Sequence, residues 1–397
     1  MNTLRLVILT PLMPPAPGGA GVYTDLVARQ LIEAHGAERV CVITEKHPET
    51  PDEEVHLDGR YHILRRFPFR AGSSIKNWKS YLAYGQQNLQ YRQLLTICKQ
   101  YDATAILIHS SFHNNPNRLG PSILKLRKLG LLLVADVRDP LLPQHRFRQL
   151  YPYHKILACS HTVARHLTTN KKLRSKLDTV PIPVDVEIPS EVQIRQVLAK
   201  HSLQPNAYLL STNGILRKKG LSSLLALAKE IARRNLGISV VVAGKERDKT
   251  AEIEALIKAG VVRYLGVLPH RDVLSLSAAA LANINLSPVE GMPRTTLETL
   301  AVGGNVIVTR GIPEFDALQN DAVVDSSRPD QIANLVEQIS STPTPFPYDI
   351  TQHHVSVVVG NLYQLLTVAP FEASSGAGQK NQGKQGATPK PHERSRG

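Results

Sequence analysis

Residues 208–243 read YLLSTNGILRKKGLSSLLALAKEIARRNLGISVVVA. Tyr208 to Thr212 is a short apolar run, the stretch after Gly220 is amphipathic with helical period, and Ile238 to Ala243 is a second apolar run. Strand, helix and strand in that order imply two parallel strands joined by a crossover helix. VRYLG (Val262 to Gly266), ANINLS (Ala282 to Ser287) and NVIVT (Asn305 to Thr309) continue the rhythm. Upstream, LRLVILT (Leu4 to Thr10), VCVIT (Val40 to Thr44), AILIH (Ala105 to His109), LLLVAD (Leu131 to Asp136) and KILAC (Lys155 to Cys159) repeat it. PIPVDVEIPS (Pro181 to Ser190) interrupts the alternation with three prolines and reads as a linker. The expected architecture is α/β, with two Rossmann-like domains facing a central cleft, because open parallel sheets bind ligands at the carboxyl ends of their strands.

The predicted boundaries are residues 1–185 for the first domain and 186–350 for the linker and second domain. A final helix follows over 351–369, within ITQHHVSVVVGNLYQLL, and then a basic tail over 370–397. That tail is rich in Gly, Ser, Lys, Gln and Pro and is expected to be disordered.

The chain has 397 residues, 42% hydrophobic and 20% charged, which suits a globular protein of two domains and excludes a fibrous or wholly disordered one. No stretch approaches the roughly 20 apolar residues of a membrane span. The opening MNTLRLVILTPLMPP lacks a small-residue cleavage pattern, so a signal peptide is not expected. Cys41, Cys98 and Cys159 are far apart among apolar neighbours, without metal-ligand spacing, and read as buried thiols in a reducing cytoplasm.

The net charge of +14 is unevenly placed: residues 1–205 carry 27 basic and 16 acidic side chains, whereas residues 206–370 carry 15 of each. RRFPFRAGSSIKNWKSYLAY mixes Arg65, Arg66, Arg70, Lys76 and Lys79 with Phe67, Phe69, Ile75 and Trp78. Such a mixture suits an anionic membrane surface and equally a solvated loop over a few core aromatics. A cytoplasmic protein, with peripheral contact at the inner face of the membrane as one option, is the expectation. No nucleic-acid-binding motif is present, so no specific nucleic-acid partner is expected.

Chemistry concentrates in SPVEGMPRTTLETLAVGG, Ser287 to Gly304. Glu290 follows a strand and opens a Gly-Met-Pro turn, and Glu298 sits about one turn into a helix starting near Thr295. Loop amides and a helix N-terminus attract an anion, and carboxylates beside them can accept hydrogen bonds from sugar hydroxyls.

This segment resembles the E-x7-E signature of retaining glycosyltransferases of the GT-B fold, most closely the GT4 family. Ser287, Glu290, Gly291, Pro293, Leu297, Glu298, Ala301 and Gly303 fall on the pattern, with Asn305 where the family usually has proline. STNGILRKKG resembles the family's G-R-L-x-x-x-K-G, with Lys219 and Gly220 on the Lys-Gly pair and Gly214 where the family has its arginine. Arg217 is the first candidate to replace that cation and reads equally as a solvated loop residue, whereas Lys218 reads more readily as solvated.

The loop TPLMPPAPGGAGVYTDLVARQL, with Gly18, Gly19 and Gly21, resembles the P-P-x-x-G-G loop beside the donor phosphates. ADVRDPLLPQ resembles the R-D-x-W-P motif of members acting on bacterial surface polysaccharide precursors, with Leu142 replacing tryptophan. Arg138 and Asp139 there are equally readable as a structural ion pair. His109 and His113 stand near another strand end and read first as structural residues.

The resemblance implies transfer of a sugar from a nucleotide-diphosphate donor to an acceptor hydroxyl, on a glycan or a lipid-linked glycan, in polysaccharide or glycolipid synthesis. Glu290, Lys219 and Asp139 would be catalytic. Gly18, Gly19, Arg217, Gly291, Met292, Pro293, Arg294 and Glu298 would bind the donor. It implies no cofactor and no metal, and a last helix that crosses back onto the first domain. Two alternatives share the architecture: a sugar-nucleotide 2-epimerase, and a catalytically inactive GT-B binding protein.

Overall fold

The computed structural model describes residues 3–15, 19–48, 50–67, 93–109, 120–138, 140, 142–315, 322–341 and 348–367. The first sheet contains β1 (Arg5–Leu9), β2 (Arg39–Glu45), β3 (Glu53–His56), β4 (Tyr61–Phe67), β5 (Ala105–His109), β6 (Leu132–Val137), β7 (Lys155–Ala158) and β8 (Leu177–Thr179). Their spatial order is β3-β4-β2-β1-β5-β6-β7-β8, parallel except for the antiparallel β3–β4 pair. The second sheet holds β9 (Tyr208–Ser211), β10 (Ser239–Ala243), β11 (Val262–Gly266), β12 (Ala282–Asn285), β13 (Val306–Thr309) and β14 (Val323–Val324). Its order, β11-β10-β9-β12-β13-β14, is parallel throughout. The fold is therefore the expected pair of Rossmann-like domains.

The central strands are buried on both faces, as parallel strands covered by helices require: β1, β5, β6, β9, β10 and β13 are mostly Val, Ile, Leu and Ala, and β12 adds the buried Asn283 and Asn285. The β3–β4 hairpin, β8 and β14 are additions to the sequence reading. β3 has alternating exposure and few apolar residues, and β8 and β14 are three and two residues long, so none carries the apolar run by which the others are recognised.

In each sheet the chain runs outward on one side of its first strand and then returns to the other side. The reversals fall between β1 and β5, and between β9 and β12. Loops at such points diverge and leave a crevice beyond the carboxyl ends of the strands.

Pro181 to Ser190 forms the connection and, apart from an isolated bridge at Val184, contains no helix or strand. Ser190 then caps the helix Glu191–Lys200 through a reciprocal pair of hydrogen bonds with Gln193. The chain returns through the turn Thr351–His353, where Val184 N donates to His353 O at 2.8 Å and the His353 ring contacts Ile182 O at 3.0 Å. We label helix Gly19–Glu33 α1, Leu221–Arg234 α2, His270–Ala279 α3, Arg294–Ala301 α4 and Val355–Thr367 α5. Val358, Val359, Leu362 and Leu366 of α5 are buried in the same apolar cluster as Val27, Leu31 and Leu6 of the first domain. The last helix thus packs against α1.

Arg65 is buried rather than on a basic surface. Its side chain is 2% exposed, and its guanidinium pairs with Glu54 at 2.7 Å and donates to Pro14 O, so the β3 strand neutralises it inside the domain. Arg66 is exposed and lies 3.5 Å from Glu53. The remainder of that basic-aromatic stretch, from Phe69 through Trp78 and Lys79, lies outside the described residues, as does the tail. Cys41, Cys98 and Cys159 are buried free thiols.

Candidate active site

The carboxyl ends of both sheets border one cavity of about 700 Å³. From the first domain come Gly19, Ala20 and Tyr23 after β1, His109 at the end of β5, Arg138 and Pro140 after β6, and Cys159 after β7. The second domain contributes Lys218 and Lys219 after β9, and Pro288 to Met292 with Arg294 after β12. Both strand-order reversals feed this space, as the fold requires.

On the second-domain wall, Lys219 Nζ lies 2.6 Å from Glu290 Oε1, with Glu290 10% and Lys219 32% exposed. Their loops are held by backbone contacts that leave no room for side chains. Gly220 has φ +80°, and a Cβ there would sit 2.1 Å from Leu286 O. Gly214 has φ +67°, and a Cβ would sit 2.3 Å from Lys245 O. No arginine fits at Gly214, for two independent reasons: L-residues disfavour that φ, and the Lys245 backbone occupies the space.

Two hydrogen bonds tie the β9 and β12 loops together. Thr212 Oγ1 meets Thr295 Oγ1, and Asn213 Nδ2 donates to Asn285 Oδ1, each at 3.0 Å.

Glu298 is in the second turn of α4, 4% exposed, with both oxygens engaged. Arg294 Nε donates to Oε1 at 2.7 Å, and His270 Nε2 approaches Oε2 at 3.1 Å. Burial pushes the Glu298 carboxyl up, but the His270 hydrogen bond and the Arg294 charge outweigh it and hold the group below its ordinary range. Its hydrogen bond to Glu298 raises the His270 imidazole above its usual value, against partial burial.

The first-domain wall is a compact polar cluster. The Arg138 guanidinium carbon is 3.4 Å from the Tyr23 ring centroid, and Arg138 Nε is 2.7 Å from Asp136 Oδ2. Burial works against the Arg138 charge, yet Asp136 and Tyr23 more than compensate, so it stays protonated. Burial raises the Tyr23 phenol and pushes the Cys159 thiol up to about 12, which leaves the thiol un-ionised and poorly nucleophilic. His109 is opposite Asp136 in the β5–β6 register. Burial lowers its imidazole to about 4 despite Asp136, so it is neutral at physiological pH.

The two walls meet at Gly291, where a Cβ would lie 2.7 Å from Arg138 O and 3.6 Å from Cys159 Sγ. Only a glycine lets the Glu290 turn approach the β6 loop this closely.

Of the residues singled out from sequence, Gly19, Lys219, Glu290, Gly291, Met292 and Arg294 line the cavity. Pro293 is the N-cap of α4, and Glu298 lies beneath Arg294. Arg217 is exposed and not among the lining residues, and its backbone N donates to Asp248 Oδ2 at 2.8 Å; Lys218 does line the cavity. Gly18, Asp139 and His113 lie outside the described residues. Gly19 has open space where a Cβ would go, whereas Gly21 carries the steric demand, 2.9 Å from Leu12 O. His270 and Tyr23 were not anticipated. His270 opens a helix after β11, at the carboxyl end of a strand, but nothing in the local sequence marks it as a partner of Glu298.

The facing sheets and shared cleft define the GT-B class. Residues 195–352 match the sequence profile of the family described as glycosyl transferases group 1. That match covers the second domain of this chain. Sucrose-phosphate synthase from Thermosynechococcus elongatus superposes with a TM-score of 0.65 at 16% identity, over 91% of this chain and 94% of that one. An α,α-trehalose-phosphate synthase (UDP-forming) from Burkholderia xenovorans, solved with glucose-6-phosphate, gives 0.66 at 12% identity, over 91% and 100%. Anabaena HepE with UDP and glucose gives 0.62 at 14% identity, over 91% and 95%. At these identities the likeness is one of fold. None of the curated protein sequences matches this chain.

Proposed function

We propose that this protein is a retaining glycosyltransferase of the GT4 type, which moves a sugar from a nucleotide-diphosphate donor to a hydroxyl of a glycan or lipid-linked acceptor. The observation that carries the reading is the Lys219–Glu290 pair in the wall of the shared cavity, next to the close-packed turn at Gly291. Without donor the cation and carboxylate satisfy each other. With donor present, Lys219 turns to the diphosphate and Glu290 accepts hydrogen bonds from the transferred sugar.

In the reaction the anomeric C–O bond to the diphosphate breaks, and its electron pair stays on the departing phosphate oxygen. The acceptor oxygen bonds to the anomeric carbon on the same face, and its proton passes to that phosphate oxygen. Negative charge therefore grows on the leaving group, which is what a preorganised cation and loop amides stabilise. Positive potential from Lys219, the Gly291–Arg294 amides and the start of α4 meets this need without a metal. Glu298 holds the pentose of the donor from beneath.

On the acceptor side, Tyr23, His109 and Arg138 border the space opposite the donor wall. Asp139 follows Arg138 directly and is proposed to orient the acceptor hydroxyl. Similarity to solved structures that contain UDP and glucose, or glucose-6-phosphate, supports a sugar-nucleotide donor and a sugar acceptor. Synthesis of a surface polysaccharide or glycolipid, at the cytoplasmic face of a membrane, is the proposed setting. The described residues include no helix long and apolar enough to cross a membrane.

Lys219→Ala and Glu290→Ala should each lower turnover by roughly 10² to 10³-fold while thermal unfolding stays close to wild type. Near-normal turnover in either variant refutes these roles. Product NMR should show an axial or equatorial anomeric linkage matching that of the donor.

A further inference from the structure

We propose that Arg294 is a second diphosphate-binding cation, which links the phosphate site to the pentose-binding carboxylate. The proposal rests on the reading of the cavity as a nucleotide-diphosphate sugar site and gives the Arg294 side chain a specific part in it.

The argument starts from charge. A diphosphate ester carries two to three negative charges, and the second-domain wall answers it with Lys218, Lys219 and Arg294. Lys219 shares its charge with Glu290 at 2.6 Å. Lys218 is exposed on a three-residue turn and screened by water. The loop nearest the β9 carboxyl end cannot supply a cation at Gly214, because a Cβ there would collide with the Lys245 backbone. Arg294 is the remaining one. It is the first residue of α4, lines the cavity, and its side chain is 18% exposed.

Its geometry fits the task. Nε is fixed on Glu298 Oε1 at 2.7 Å, a contact between successive turns of α4 that holds the guanidinium in one orientation. Nη1 and Nη2 make no hydrogen bond to a described residue, which leaves their donors for a ligand. A planar fork with one edge clamped is suited to oxygens of adjacent phosphates, as a lysine is not. His270 holds the opposite oxygen of Glu298, so the carboxylate keeps its place when Arg294 engages the phosphates. Thr296 Oγ1, in the first turn of the same helix, is buried and has no hydrogen-bond partner among the described residues.

The test separates phosphate binding from support of Glu298. UDP, GDP and ADP are titrated into wild type by calorimetry, and the tightest of them is compared with its parent nucleoside in wild type, Arg294→Met and Arg294→Gln. The glutamine variant removes the charge but keeps an amide donor for Glu298, and serves if the methionine variant unfolds. The expected result is about a 10- to 100-fold loss for the diphosphate, with nucleoside affinity changed less than about twofold. Equal losses for nucleoside and diphosphate, or no loss for either, overturn the assignment of Arg294 and leave the cavity's function standing. Failure of wild type to bind any of the three diphosphates overturns both.

Discussion

His109 shows how burial alone prepares a residue for a role. Its imidazole falls from 6.5 to about 4 because the β5 end is desolvated, even beside Asp136. A depressed folded-state value means the group adds stability above pH 6.5, which is lost as pH falls from there toward 4. The difference is worth roughly 3 kcal/mol at most. Urea unfolding of wild type should show this acid-side loss of stability, and His109→Gln should flatten it over that interval. An unchanged slope in the variant would show that another group titrates. Neutral at physiological pH, His109 brings no charge to the cavity. His270 is the reverse case: its value is raised by Glu298, so its stabilisation is complete below pH 6.5 and fades as pH rises through the folded value. Neither direction is legible in the sequence, where both are histidines near strand ends.

At the scale of elements, the β9 loop is tied to the first turn of α4 by the Thr212–Thr295 hydrogen bond and to the end of β12 by Asn213–Asn285. Side chains are excluded at Gly214 by the Lys245 backbone and at Gly220 by the Leu286 backbone. Placing arginine at position 214 should therefore not improve donor binding. Gly214→Arg is expected to lower stability by roughly 1–3 kcal/mol from backbone strain alone, with further loss from the clash with Lys245. A stable variant with tighter diphosphate binding would contradict this picture, and calorimetry with thermal melts decides it. The sequence placed β1, β5, β6, β9, β10, β12 and β13 because each is an apolar run buried on both faces. It missed the β3–β4 hairpin, whose outer strand is polar and exposed on alternate residues. Arg65 read as part of a basic surface, since nothing in a linear stretch shows that Glu54 and Pro14 O surround it.

For the molecule as a whole, α5 returns to α1 and joins the apolar cluster of the first domain. Leu362 is fully buried there, so Leu362→Ala should cost about 2–5 kcal/mol. The loss should appear in the melting of the first domain, while the second domain, which does not contain this cluster, keeps its hydrogen-exchange protection. Loss of protection confined to the second domain would refute the packing role of α5. Because the cavity is built from both sheets, this distant change should also weaken turnover more than diphosphate binding, which depends on the second-domain wall.

The sequence by itself determined the two parallel sheets, the linker between them, and the glutamates and lysine of the second-domain wall. The sheets and linker follow from local periodicity and prolines, and the glutamates and lysine from the resemblance of their segments to the E-x7-E and G-R-L-x-x-x-K-G motifs. Only the tertiary structure decided that Gly291 brings the Glu290 turn against the Arg138 backbone, and that His270 and Arg294 share Glu298. It alone shows that Lys218 lines the cavity while Arg217 does not. Apart from the Arg294–Glu298 contact, which spans one turn of α4, such pairings join segments tens to more than a hundred residues apart. They depend on how the crossover helices set the strand ends against each other, and that is a property of packing rather than of any stretch of sequence.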